Sequence, residues 1–497
     1  MDEYKKEIQY LPTDVVEKTK QKAEKEISEI AVMSFMSKDD GQAVRALNHA
    51  SQGEYPEPAD FKMKALWTAS DDRDILLRKT TAAFSLKVGG ESLTRNRNIW
   101  TRKVDDSVIV SIYPLAKWFA FNWWRLENEF LPHDNLKPNY DWRCAHELGA
   151  ADHGYVWPCV LFVSDGDFVN VWSSTIHTSG QSVNYLNRLN AVKSVPVKKF
   201  QSEVATLIKA TLEKLNDQGA DLRELWSIVC EDMHDPAINN IRKIEAAMGY
   251  DPEECPEALL TMALEMQKRT GRTTVKEFLP FVSMNEQLQN CLNNSNGLEI
   301  NIQMEPQQTV CDGTAPILPW QRGVAAARWL RRECDFGEDA VSDSQLKDLL
   351  GLSSRGYDDY FRYSVDIPVS FGKNNGQGGW TFVPKKKWWM TGRRFELSRL
   401  LGDALTYRNA KHEWLVMSDC KTARQKTQRA FAAEFLCPIV ALDNFMEGDY
   451  SKEKQKKAAS HFGVSEKTIK SVLLNNRRIN HHEPSFPYSL RSRLVLQ

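Results

Sequence analysis

Residues 160–172 read Val-Leu-Phe-Val-Ser-Asp-Gly-Asp-Phe-Val-Asn-Val-Trp. Two apolar runs flank an Asp-Gly pair, which supplies the positive φ angles of a tight turn between antiparallel strands. This hairpin makes the surrounding region, 51–198, a β-rich or α+β domain. That region also holds eight of the 15 Trp and short apolar runs such as 107–112. Before it, residues 1–50 are rich in Lys and Glu, with helix-like spacing of Val, Ile and Ala over 15–34. After it, residues 199–285 read as helical. Phe200, Val204, Leu207, Ile208 and Leu212 keep a 3.6-residue period, as do Leu222, Leu225, Ile228 and Val229. Residues 286–317 lose periodicity, gather Asn and Gln, and contain Pro306 and Pro316, so they read as a linker. Residues 318–480 form a further α+β domain, and 481–497 a tail.

Composition bounds the class. A chain of 497 residues with 42% apolar and 26% charged residues suits a soluble protein of two to four domains. The net charge of −1 gives no global field that would draw it onto nucleic acid or a membrane. The charged start, Met1-Asp2-Glu3-Tyr4-Lys5-Lys6, is not a signal peptide, and no run approaches the roughly 20 apolar residues of a span. Nine Cys are scattered singly, with no C-x-x-C pair. That usage fits a reducing cytoplasm and argues against a disulfide scaffold or zinc ribbon.

The sharpest chemical signal lies in two C-terminal segments. Residues 393–405 read Arg-Arg-Phe-Glu-Leu-Ser-Arg-Leu-Leu-Gly-Asp-Ala-Leu, and 428–438 read Gln-Arg-Ala-Phe-Ala-Ala-Glu-Phe-Leu-Cys-Pro. Together they resemble the core of the ImmA/IrrE family of bacterial zinc peptidases. There the first helix reads R-R-F-x-L-A-H-E-L-G-H and the second E-x-x-A-N-x-F-A-A-x-L-L-M-P. Aligned on Arg394, Phe395, Leu397 and Gly402, the first zinc-binding His falls on Arg399, the catalytic Glu on Leu400 and the second His on Asp403. Aligned on Phe431, the third-ligand Glu falls on Gln425. A catalytic zinc needs deprotonated or neutral donors and a base beside its water. Arg cannot release its proton to coordinate, and Leu is no base. No Asp or Glu occurs from Lys421 to Ala433, so a small shift of register supplies no ligand. The resemblance therefore implies a zincin-like fold with a degenerate motif, no metal and no cofactor. An Arg399–Asp403 pair at i, i+4, exposed on the helix, is the expected local tie in its place.

The resemblance extends over 318–480. Residues 319–332 resemble the helix that opens such domains and 343–352 the next, with Gly351 as its stop. Residues 380–383 read as a strand after a Gly/Asn turn, and Phe462-Gly463-Val464-Ser465 resembles an element that family members often carry. Upstream, Trp123-Trp124-Arg125-Leu126, Trp142-Arg143-x-Ala145-His146 and Gly154-Tyr155-Val156-Trp157-Pro158 resemble the N-terminal half of longer members.

Two further groupings could carry chemistry. His146-Glu147-Leu148-Gly149-Ala150 misses H-E-x-x-H by its last residue, and His153 lies two turns away. It reads as a packing His at a helix end before a buried strand. Lys385-Lys386-Lys387-Trp388-Trp389 with Arg393-Arg394 interleaves cations and aromatics, a pattern suited to phosphates and stacked bases. Lys467 and Lys470 lie in the second of two short basic helices, a spacing that suits either a helix-turn-helix reader or a solvated cap.

Active members of the resembled family cut a helix-turn-helix repressor. A member without the metal site could hold such a partner without cutting it. The resemblance thus implies a non-catalytic regulatory protein of a mobile element, toxin–antitoxin pair or phage-defence cluster. Its partner would be a helix-turn-helix regulator or toxin encoded nearby, bound in a groove at Trp380, Arg399, Asp403 and Gln425, where a peptidase adds its substrate as a strand. The alternatives are a divergent zinc endopeptidase that cleaves a repressor and a DNA-binding regulator using the basic C-terminal helices.

Overall fold

The Asp-Gly turn forms where the sequence places it. In the computed structural model Cys159–Ser164 and Phe168–Ser174 pair antiparallel, with Leu161 opposite Trp172 and Val163 opposite Asn170. Gly166 takes φ +100°, and Asp165 Oδ1 accepts from the Phe168 amide at 2.8 Å. The structure describes residues 57–479 apart from 133–137, 152–154, 176–180, 282–285, 295, 303, 305–316, 354, 377–378 and 408–413. The expected helical segment 1–50 and tail 481–497 lie outside them, as does His153.

The molecule is α+β, with small antiparallel sheets packed among helices. Lys193–Pro196 joins the hairpin as a third strand. A second sheet pairs Phe61–Trp67 and Val108–Ser111 with Thr81–Val88. Between these two sheets and the helices Tyr113–Phe121 and Val197–Leu215 lies an aromatic cluster. Phe61, Phe119 and Phe200 each approach Phe162, with ring centroids 5.4–6.1 Å apart. This core continues through Trp226 and Val229 of the helix Ala220–His234. The two sides of the expected boundary at 198/199 therefore share one core. The first amphipathic helices of the middle region bury their apolar stripe on the β-rich part, not on each other.

The C-terminal sheet has the order Leu298–Ile300, Trp380–Val383, Ser370–Asn374, Leu415–Met417, all antiparallel. Its first strand, and the helix Glu286–Asn294, lie in the segment that reads as a linker. The strand's apolar residues alternate, Leu298 and Ile300 buried and Glu299 exposed, but only over three residues, too few to register as a period. A second part of the middle region, with Ile244, Val275 and Phe278, packs on Val369, Phe371 and Val416 of this sheet.

Among the helices of the C-terminal region are Pro319–Glu333, Met390–Thr406 and Ala423–Leu436. The last two carry the motif segments. Thr422 caps the second motif helix by accepting from the Gln425 amide at 3.2 Å. Glycines set the separation of these helices. A Cβ at Gly402 would lie 2.6 Å from the Phe431 ring, and one at Gly323 would lie 2.2 Å from the Thr427 carbonyl oxygen. Phe431 and Phe435 stack at 5.6 Å beside this contact, each fully buried. Gly323→Ala should therefore force the two helices apart and cost about 1–3 kcal/mol, as overpacked cores do. Urea unfolding measures it, and an unchanged midpoint would show that the helices can separate freely.

Candidate functional site

The charged residues of the first motif helix fall on one side. Glu396, Arg399 and Asp403 follow i, i+3, i+7 spacing, and all three are buried. The second motif helix answers with Arg424, Gln425 and Gln428, also buried. Between the helices runs the strand Leu415–Met417 with the following Ser418. A charge held away from water must find its partners in the protein, and here the groups do so except for the Arg399 Nε, which is buried without a hydrogen-bond partner.

Arg399 is 3% exposed. Its Nη1 donates to Glu396 Oε2 at 3.1 Å, and its Nη2 donates to the Ser418 carbonyl at 2.6 Å and to Gln425 Oε1 at 2.5 Å. Gln428 Oε1 lies 3.4 Å from the same nitrogen. Gln425 and Gln428 both donate through Nε2 to the Val416 carbonyl, at 2.9 and 2.8 Å. Glu396 accepts on its other oxygen from Ser370 Oγ at 2.6 Å, and that hydroxyl accepts from the Lys385 amide at 2.9 Å. Lys385 Nζ reaches Asp419 at 2.9 Å. Burial raises the Glu396 carboxyl, but Lys385 and Arg399 more than offset it, so the group sits below the usual carboxylate range.

Asp403 forms the second half of the network. It is fully buried and receives both Nε and Nη2 of Arg424, at 2.8 and 2.7 Å. The Val416 amide completes its shell at 3.1 Å. Arg424 also donates to the Trp414 carbonyl and to Thr274 Oγ1, at 2.8 and 3.1 Å, and its guanidinium lies 5.4 Å from the Tyr407 ring centroid. Glu277, from the middle region, accepts from Thr422 Oγ1 at 2.6 Å and Ser418 Oγ at 3.0 Å. Arg429, beside Arg399, donates to the Cys420 carbonyl at 2.8 Å. Lys385, Arg399, Arg424 and Arg429 thus share this region with Glu277, Glu396, Asp403 and Asp419, one carboxylate for each cation.

The arrangement answers whether the residues suit a zinc ion, and they do not. The side chains aligned with the first and third ligands, Arg399 and Gln425, bond directly to each other. Arg399 is a guanidinium and has no lone pair to offer a metal. Leu400, at the position of the catalytic Glu, is fully buried in apolar core. Among the described residues no group of three His, Cys, Asp or Glu is placed to hold a metal ion.

Several expectations change. Arg399 and Asp403 are buried, and each bonds elsewhere: Arg399 to Glu396 and Gln425, Asp403 to Arg424. The exposed i, i+4 tie is replaced by a buried lattice between helices. The expected groove is also filled. Trp380, Arg399, Asp403 and Gln425 are all buried, and Trp380–Val383 lies between Leu298–Ile300 and Ser370–Asn374, with no free edge to receive a strand. Lys385 and Arg394 leave the candidate nucleic-acid surface, because both are buried. Lys385 pairs with Asp419, and Arg394 binds Asp343 and the carbonyls of Val341 and Gly463. Lys386, Lys467 and Lys470 are exposed, and Lys387 and Arg393 are partly so. The two basic helices form as Lys452–Phe462 and Glu466–Asn475, with Gly463 at φ +61° in the turn. Arg478 spends its charge on Asp443 and Lys454 on Glu447.

His146 is fully buried. Its Nδ1 is 2.8 Å from the Phe162 carbonyl, its Nε2 is 3.0 Å from Glu129, and Trp142 stacks on it at 4.2 Å. It packs a helix end onto the hairpin, and Glu147 faces away to Arg143.

The sequence reading missed Glu396, Gln428, Arg424 and Glu277. The signal for the first three was present: charged and amide residues at helical spacing beside the apolar residues of the two motif helices. Glu277 carries no local signal, since its partners are 141 and 145 residues away. No protein-family model, no curated protein and no solved structure matches the chain.

Two outcomes test the network. Asp403→Ala or Arg424→Ala alone should cost about 3–5 kcal/mol by stranding a buried charge, and the double variant should cost less than their sum. Additive losses in urea melts would show that the two side chains do not interact. Burial pushes the Glu277 carboxyl above its ordinary value of 4.5. The folded chain therefore keeps that proton to higher pH than the unfolded chain, and the group's contribution to stability falls as pH rises through the raised value. The stability of Glu277→Gln relative to wild type should therefore rise as pH increases above the ordinary value of 4.5. A pH-independent difference would overturn this assignment.

Proposed function

We propose that residues 318–480 are a degenerate zincin-like relative of the ImmA/IrrE peptidase domain, and that the protein acts by binding a partner without cutting it. One observation carries this reading: the guanidinium of Arg399 bonded to Gln425, where the resemblance would place a metal between its first and third ligands. A peptidase must polarise a carbonyl and activate a water at one accessible point. At this point there is a permanent cation whose neighbours are carbonyls, amides and a carboxylate, and Leu400 stands where a base is needed. The partner class follows by analogy with the resembled family: a helix-turn-helix regulator or a toxin encoded nearby. The filled groove moves the contact to the outside of the domain.

Metal analysis of the purified full chain tests the first half. The expected zinc content is well below one ion per chain, before and after incubation with zinc and removal of excess. One tightly held zinc per chain would favour the divergent peptidase instead. The second half is tested with the products of the adjacent genes. The expected result is capture of one of them at its full mass, with and without added zinc. Its conversion to shorter fragments would overturn the non-catalytic reading.

A further inference from the structure

Large aromatic side chains seldom stand in solvent without a partner. Two consecutive tryptophans do so here: Trp388 is 67% and Trp389 80% exposed. Phe361 and Met390, 44% and 45% exposed, extend the patch. Phe361 and Trp388 face each other with centroids 6.1 Å apart, although 27 positions separate them in the chain.

The loop that presents these rings is held in place. Arg393 donates through Nε to the Lys387 carbonyl at 3.0 Å, through Nη2 to the Trp388 carbonyl at 3.3 Å and through Nη1 to the Tyr357 carbonyl at 3.4 Å. Its guanidinium also lies 4.9 Å from the Phe361 centroid. Trp389 is the N-cap of the first motif helix, and the Gly392 amide donates to its carbonyl at 3.0 Å. The rings are therefore offered on an ordered backbone, so a ligand would not have to order the loop.

The side chains that flank the two tryptophans in the chain are cationic. Lys386 Nζ lies 4.4 Å from the Trp388 centroid, and Lys387 and Arg393 flank it. Among the described residues none of these three cations is in an ion pair, whereas their neighbours Lys385 and Arg394 both are. Glu396 lies three residues after Arg393 but is buried and bonded to Arg399 and Ser370; it and Asp419 feel Lys387 only at longer range, and Asp358 and Asp359 lie one turn before Phe361 at the start of its helix. Exposed flat rings between unneutralised cations complement a polyanion that carries flat faces between its charges. A duplex stacks those faces on one another, while a single strand exposes them.

We propose that the Phe361–Trp388–Trp389 patch binds single-stranded nucleic acid. Bases stack on Trp388 and Trp389, and phosphates meet Lys386, Lys387 and Arg393. The site does not depend on peptidase kinship. It rests on exposure, ring geometry and charge.

The test uses the full chain and a labelled oligothymidine of about twenty nucleotides, a duplex of equal length, and an abasic strand of equal length. The single strand should bind tightest. Trp388→Ala with Trp389→Ala should weaken it at least about tenfold, with an unchanged melting temperature because both rings are exposed. Lys386→Gln with Lys387→Gln should lower the salt slope by roughly one to two, at about 0.7 per phosphate contact. Binding of the abasic strand as tight as that of the oligothymidine would overturn stacking. Preference for the duplex, or single-strand binding indifferent to the tryptophans, would overturn the site. So would loss of a protein partner or of anionic vesicles, and not of the oligonucleotide, on changing the same rings.

Discussion

A guanidinium buried away from water dictates the arrangement around it. Arg399 cannot shed its charge, so acceptors must be oriented toward it. Glu396, Ser418, Gln425 and Gln428 meet that demand from two helices and a loop. Each of them is then committed. The Gln425 and Gln428 amides turn their nitrogens to the Val416 carbonyl of the strand between the helices. Asp403, one turn along, takes the amide of the same Val416 and the second buried arginine. The register of helix, strand and helix follows from satisfying these groups together, because sliding any one element by a residue would leave a charge without a partner.

This lattice specifies more than it stabilises. Buried ion pairs lose most of their attraction to the cost of leaving water. The favourable term comes from the apolar residues on either side: Leu397, Leu400, Leu401, Phe431, Phe435 and Leu436 are all fully buried, each contributing about 1.5–3 kcal/mol. The same division holds where the two halves of the molecule meet. The hairpin turn at Asp165 reaches the second motif helix, accepting from Lys426 Nζ at 2.5 Å while its carbonyl accepts from the Ala423 amide at 2.7 Å. Asp167 of the same turn pairs with Arg322. Such polar clasps fix how surfaces meet, and the shared apolar cores hold them there.

The features legible in the chain were those with a local cause. An Asp-Gly pair between apolar runs makes a hairpin whatever surrounds it, and a strong 3.6-residue period makes a helix. The strand Leu298–Ile300 was not legible, because three residues beside Asn and Gln carry no period and the strand exists only by pairing with Trp380–Val383. Within the site, the chemistry of single side chains was readable: Arg399 is a permanent cation and Leu400 apolar wherever they lie. Their burial was not, because an Arg–Asp spacing of four on a helix describes an exposed pair as well as a buried one. What decides between them is Arg424 and Gln425 on another helix and Glu277 far upstream. Lys385 shows the same limit. Next to Lys386 and Lys387 it looks like part of a basic surface, yet the strand that precedes it turns it inward to Asp419.

The sealed network and the exposed patch share one helix. Trp389 caps its start, and Arg399 lies ten residues on, roughly 15 Å along the axis at the rise of an α-helix. Arg393 lies between, holding the loop by its carbonyls. Fixing Arg399 therefore fixes the direction in which the helix emerges, and with it the plane in which Trp388 and Trp389 are offered. The buried guanidinium ties the helix to the strand and to the second motif helix in the interior, a rigid mount, and the rings stand on the outside, at the end of the helix it holds.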